Sequence, residues 1–116
     1  MKLLIVEDNP VVRRMIKSIV ADLAEEIHEC ADGAAALATY AACRPDFVLM
    51  DIVMAGMDGI MATRQIRAAD PAAQVIIVTS YDEADLREAT RSAGACGYVL
   101  KENLLELGRL LQTPSR

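Results

Sequence analysis

The chain has 116 residues, 53% of them apolar and 25% charged, with a net charge of −5. That is enough for one domain with a single core, and it excludes a long random-coil tract. The acidic balance disfavours a broad grip on nucleic acid, which needs clustered Lys and Arg.

Leu3–Val6 reads as a buried strand that stops at Glu7 and Asp8. It is too short for a signal-peptide core or a bilayer span, so a cytoplasmic protein without membrane contact is expected. Val12, Met15, Ile16, Ile19, Val20 and Leu23 recur at steps of three and four, which makes a helix face. Asn9 is its N-cap, with Pro10 in the first turn. Arg13, Arg14 and Lys17, the densest basic group, read as its solvated side. Glu26–Cys30 is a short, partly polar strand near a sheet edge, and Asp32-Gly33 is a turn. Ala34–Ala42, with Leu37 and Tyr40, suits a close-packed helix that ends at Arg44-Pro45.

Phe47–Met50 is the next strand, followed by a loop holding Gly56 and Gly59. Met54 and Met57 in that loop read as gap-filling packing. Ile60–Ala68 is a third helix, closed by Asp70-Pro71. Gln74–Val78 is a β-branched strand. Ser80 or Asp82 caps a fourth helix running to about Ser92, and Gly94 stops it. Cys96–Leu100 is a fifth strand. Leu104, Leu105, Leu107, Leu110 and Leu111 give a last short helix, and Thr113–Arg116 a frayed tail. Leu104, Leu107 and Leu111 are placed in the core or at an interface.

Cys30, Cys43 and Cys96 are far apart, and none lies in a Cys-x-x-Cys pair. Reduced thiols acting as small apolar residues are expected. His28 is the only histidine and has no partner evident in the sequence, so it reads as a surface strand residue rather than an acid–base catalyst.

Strands alternating with helices five times imply an α/β fold: a flavodoxin-like (βα)5 three-layer sandwich with a parallel sheet of order 2-1-3-4-5. Residues 1–116 form one domain in this reading. Glu7 and Asp8 follow the first strand, Asp51 the third, Thr79 ends the fourth and Lys101 follows the fifth. In that strand order all five residues meet along one rim, at the switch point where open α/β sheets carry their sites. Each alone has a bland explanation as a turn or surface residue; their joint placement does not.

Packed carboxylates repel and raise one another's pKa, and a hard divalent cation relieves them. Mg²⁺ is the expected ion. Asp8 and Asp51 would bind directly, the Val53 carbonyl would be a third ligand, and Glu7 would act through water. Asp51 can then attack phosphorus to form an acyl phosphate. Lys101 would pair with one phosphoryl oxygen and the Thr79 hydroxyl with another.

IVEDN at 5–9, LMDIVMAGMDG at 49–59, VTS at 78–80 and GYVLKE at 97–102 resemble, in order, the signatures of response-regulator receivers of two-component signalling. The resemblance covers nearly the whole chain. It implies that Asp51 is the phospho-acceptor, that Glu7 and Asp8 serve the metal, and that Thr79 is the switch hydroxyl. It also makes Lys101 the phosphate-contacting lysine and Tyr98 the aromatic switch residue. In the family the threonine moves toward the phosphoryl group, the ring turns inward, and the face of the fourth helix, fifth strand and fifth helix changes. Val53 and Tyr81 take positions that border the attacking water, which implies slow self-dephosphorylation. The chain departs from the pattern at Ala55 and Glu102, where many receivers have proline; a trans bond is expected before Glu102. GYVLKE is similar to the subclass fused to helix-turn-helix DNA-binding domains.

The expected partners are a histidine kinase or phosphotransfer protein and an output protein. A phosphorylation-dependent homodimer and the receiver half of a transcription regulator stay open as alternatives. A metal-dependent phosphatase with an aspartyl nucleophile is disfavoured, because it would want a second aspartate where Val53 stands.

Overall fold

Strands β1 (Lys2–Val6), β2 (Glu26–Cys30), β3 (Phe47–Met50), β4 (Val75–Thr79) and β5 (Gly97–Leu100) form one parallel sheet in the order β2-β1-β3-β4-β5. The computed structural model describes residues 1–54 and 56–112, so Ala55 and the tail Thr113–Arg116 lie outside the described residues. Between the strands run α1 (Pro10–Val20), α2 (Ala36–Cys43), α3 (Gly59–Ala69) and α4 (Ala84–Ser92), and α5 (Glu106–Gln112) closes the described chain. The expected fold and strand order are those found.

The strand sequences explain both covered faces. Leu3, Ile5, Phe47, Leu49, Ile76, Val78 and Val99 point to one side, against Ile16 and Val20 of α1 and Leu107 and Leu111 of α5. Leu4, Val6, Val48, Met50, Val75 and Ile77 point to the other, against Tyr40 of α2 and Ala62 and Ile66 of α3. The two-residue alternation of the strand sends neighbours to opposite layers. Each such aliphatic side chain contributes about 1.5–3 kcal/mol when removed from water.

Helix boundaries follow from local chemistry. Asn9 Oδ1 accepts the N–H groups of Val11 (2.9 Å) and Val12 (3.2 Å), and Pro10, which has no N–H to satisfy, opens α1. Helix α2 leaves the right-handed region at Arg44 (φ 48°), whose N–H still reaches Tyr40 O at 2.8 Å. Gly94, at φ 108°, ends α4 in a conformation that favours glycine. All peptide bonds among the described residues are trans, including the one before Glu102.

Several expectations need correction. Neither Ser80 nor Asp82 caps α4. Glu83 holds the N-cap position without a side-chain bond, and Asp82 Oδ1 instead accepts from Arg87 Nε at 2.6 Å. Met15, read as part of the α1 core face, is exposed, whereas Leu104, Leu107 and Leu111 are buried as expected. Lys101–Asn103 form a 3-10 turn ahead of α5, so the helix starts at Glu106 rather than at the first leucines of the run. Cys96 is exposed, whereas Cys30 and Cys43 are buried. His28 has a partner, with Nε2 2.8 Å from Glu26 Oε2. Arg13 is more than a solvated residue. Its Nε bonds Glu29 Oε1 of β2 at 3.0 Å, where Lys17 also pairs, and its Nη1 bonds the Glu7 carbonyl at 2.7 Å.

Candidate functional site

Backbone pairing carries past the strand ends and fixes where the acids stand. Glu7 N–H donates to Cys30 O and Asp51 N–H to Val6 O, each at 3.0 Å. Parallel pairing sets Val6 beside Met50, Met50 beside Ile77, and Thr79 beside Leu100, so the four strand ends share one rim. One oxygen each from Glu7, Asp8 and Asp51 lie within 4.8 Å of one another. Glu7 and Asp51 are 1% and 4% exposed, and Asp8 faces solvent.

Lys101 crosses from the end of β5 to bridge the two buried acids. Its Nζ lies 3.1 Å from Glu7 Oε1 and 3.2 Å from Asp51 Oδ2. Asp51 Oδ1 accepts the Ile52 N–H at 2.8 Å, and Glu7 Oε2 accepts the Asn9 N–H at 3.2 Å. Glu7 Oε1 meets the ammonium as an ion pair. It is a buried acceptor without a hydrogen-bond partner among the described residues. Asp51 is also held from behind. The first residue of α3, Gly59, packs so closely that a Cβ there would stand 1.8 Å from Asp51 O, and Gly59 N–H bonds Ile52 O at 2.8 Å.

These contacts do not fully offset burial. Burial raises the Glu7 pKa above the usual carboxylate range, and the charge on Asp51 adds to the rise. Burial also raises Asp51, against the pull of Lys101 and the Ile52 N–H. Burial would lower Lys101, but Asp51 and Glu7 outweigh it, and its pKa is raised. Excess negative charge, hard oxygen donors and a buried acceptor held only by an ion pair together suit a hard divalent cation.

The other expected site residues stand at distinct places. Thr79 is fully buried at the end of β4, and its Oγ1 accepts the Tyr81 N–H at 3.4 Å rather than touching the acids. Val53, two residues past Asp51, presents an exposed side chain. Met54 is buried and Met57 packs against the same core, as gap-fillers would. Tyr98 lies outside the acid group. Its hydroxyl donates to Tyr81 O at 2.6 Å, and the Arg87 guanidinium lies over its ring, 4.4 Å from the centroid. The sequence reading missed Arg87. Its five-residue spacing from Asp82 is not a helix-pairing interval, and its reach to β5 crosses elements, so no local signal marked it.

Comparison with known proteins is consistent with this geometry. Residues 3–112 match the family model described as response regulator receiver domain. The chain is 38% identical to regulatory protein AtoC of Escherichia coli over 96% of its length, but spans only 24% of AtoC. It is 35% identical to the chemotaxis protein CheY of Halobacterium salinarum, over 86% of this chain and 83% of that one. Among solved structures, a LuxR-family two-component response regulator from Aurantimonas superposes with a TM-score of 0.87 at 33% identity, covering 93% of this chain and 79% of that one. Fold, ordered motifs and relatives agree, and the chain belongs to the response regulator receiver domain family of two-component signalling.

Proposed function

We propose that residues 1–116 act as one receiver domain in which Asp51 accepts a phosphoryl group. The observation that carries this reading is the buried Asp51–Lys101–Glu7 group, whose acids remain under-compensated by the cation beside them. Glu7, Asp8, Asp51 and the Val53 carbonyl are the candidates to hold Mg²⁺. When bound, Mg²⁺ supplies positive charge against the carboxylates and the incoming phosphoryl group.

The donor is a phosphohistidine on a histidine kinase or phosphotransfer protein, or a small molecule such as acetyl phosphate. An Asp51 carboxylate oxygen forms the new P–O bond while the donor's bond to phosphorus breaks, its electron pair leaving with the donor. Lys101 already touches Asp51 and is placed to pair with a phosphoryl oxygen. Thr79 supplies a hydroxyl from the neighbouring strand end. The added charge and oxygens then select a conformation in which Thr79 and Tyr98 alter the α4–β5–α5 face presented to an output protein.

In this reading the domain is a switch that catalyses only its own phosphorylation and dephosphorylation, in the cytoplasm, without direct contact with nucleic acid. The unpaired thiols of Cys30, Cys43 and Cys96 agree with a reducing compartment, and no described helix is long and apolar enough to cross a membrane. The likeness to AtoC and to a LuxR-family regulator favours a second reading, in which this domain controls a DNA-binding effector on the same polypeptide. A reading frame extending into such an effector would support the second reading.

Incubation with acetyl phosphate and Mg²⁺, followed by intact-mass measurement, tests the proposal. The wild-type chain gains one phosphoryl group and Asp51→Asn gains none; equal labelling of the variant would refute it. Size measured with and without beryllofluoride and Mg²⁺ tests for the phosphorylation-dependent homodimer.

A further inference from the structure

The contacts around Tyr98 form a continuous path to the buried Thr79 hydroxyl. Arg87, on the first turns of α4, lays its guanidinium over the Tyr98 ring at 4.4 Å. The Asp82 carboxylate, 2.6 Å from Arg87 Nε, fixes the guanidinium from the loop side. Tyr98 Oη donates to Tyr81 O at 2.6 Å, and Tyr81 N–H points at Thr79 Oγ1 at 3.4 Å. The loop between β4 and α4 is therefore held on both sides of Tyr81, by Thr79 through its N–H and by Tyr98 through its carbonyl.

This arrangement has a chemical direction. A hydroxyl whose lone pair is taken by an N–H keeps its own hydrogen free to donate. Holding Tyr81 in place thus leaves the Thr79 hydrogen available for an acceptor at the rim, which is what a phosphoryl oxygen would be. The Asp82–Arg87 pair is half exposed and by itself weak. The ring contact is what links α4 to β5, and it calls for a flat, delocalised cation.

We propose that Arg87 is a positioning residue for the phosphoryl-binding state: it seats Tyr98 so that Tyr98, through Tyr81, keeps the Thr79 hydroxyl ready to donate. The inference rests on the receiver reading of Asp51 and adds to it a residue that reaches the site only through others. A ring contact of this kind predicts that Arg87→Ala weakens beryllofluoride binding by about threefold. Arg87→Lys keeps the charge but not the plane, and recovers only part of the loss.

The test titrates beryllofluoride, with Mg²⁺ in excess, into the full chain and follows bound fluoride and the Tyr98 ring protons by NMR. Wild type, Arg87→Ala, Arg87→Lys, Tyr98→Phe and the Arg87→Ala/Tyr98→Phe double variant are compared. The expected pattern is weaker binding and shifted ring resonances in Arg87→Ala, with no further loss when Arg87→Ala is added to Tyr98→Phe, because the path through the hydroxyl is already cut. Unchanged binding in Arg87→Ala, or an equal loss with and without the Tyr98 hydroxyl, overturns the role of Arg87 while the receiver reading stands. A wild-type chain that ignores beryllofluoride overturns the receiver reading, and this inference with it.

Discussion

Replacing Asp51 by asparagine is expected to stabilise the metal-free protein while removing its response to Mg²⁺. Charges 4.8 Å apart, the outer limit for Glu7 and Asp51, repel by about 3.5 kcal/mol at an effective dielectric near 20, and Lys101 at 3.2 Å attracts Asp51 by about 5. Asp8 adds a repulsion that solvent weakens, so the charges leave Asp51 a net attraction of at most about 1.5 kcal/mol. Against it stands the removal of a carboxylate from water, which costs several kcal/mol per ion and is only partly returned by the Ile52 N–H. The neutral amide avoids that cost, and Lys101 keeps Glu7 as its partner. We expect a gain of about 1–2 kcal/mol, or roughly 5 °C in melting temperature.

The pH dependence has a definite sign. The Asp51 pKa is raised in the fold, so its carboxyl favours folding below the ordinary carboxylate range and loses that advantage as pH rises through the raised value. The gap between variant and wild type should therefore open with rising pH and close in acid. Thermal melts in EDTA and in millimolar Mg²⁺ check both points. A variant that melts below wild type in EDTA, or gains as much from Mg²⁺, would refute the reasoning.

Three further outcomes follow from other contacts. Gly59→Ala must move either the start of α3 or the Asp51 backbone, since its Cβ would stand 1.8 Å from Asp51 O; we expect a loss of about 2 kcal/mol in urea melts together with reduced acetyl phosphate labelling. Tyr40→Phe removes a hydroxyl that donates to Asp70 at 2.7 Å and should lower the melting temperature by about 4 °C. Burial and the Asp70 carboxylate push Tyr40 up to about 12, so its contribution is complete below the ordinary tyrosine value and is lost as pH climbs toward about 12. Alkaline melts should show that loss in wild type and not in the variant. Val53 and Tyr81 are both exposed beside the rim, and Val53→Asn with Tyr81→Glu should speed loss of the phosphoryl group, read by timed intact-mass measurement; a slower or unchanged rate would count against a water-obstructing role.

The strands were legible because each is a short apolar run ended by a charge or a turn. Glu26–Cys30 and Phe47–Met50 have the bounds read from sequence, and the others moved by a residue. Helix starts were legible where one side chain had one thing to do. Asn9 caps α1 as read, whereas the cap of α3, Asp58, whose Oδ1 accepts Met61 N–H at 2.9 Å, was not singled out in the sequence. Asp82 had two choices and took the charged partner, so the pattern that suggested a cap misled. The last helix was legible in its buried side, since Leu104, Leu107 and Leu111 are buried as read, but not in its start, because a 3-10 turn at Lys101–Asn103 delays α5 to Glu106.

The rim itself was legible for a reason that does not depend on side-chain conformation. Once the strand order is fixed, a residue one step past a strand end can stand only at that rim, whichever rotamer it adopts. Glu7, Asp51 and Lys101 were therefore placed before any contact between them could be known, and the contacts found are those that short reaches from fixed backbones allow. Arg13, Arg87 and Tyr40 obey no such rule. Each spans two elements through a long side chain, and its partner depends on rotamer and on the packing of both elements. Chemistry carried by the backbone's topology can be read from the order of residues. Coupling carried by long side chains requires the folded molecule, and it is in that second class that this receiver can differ from its relatives without changing a single residue of the acid group.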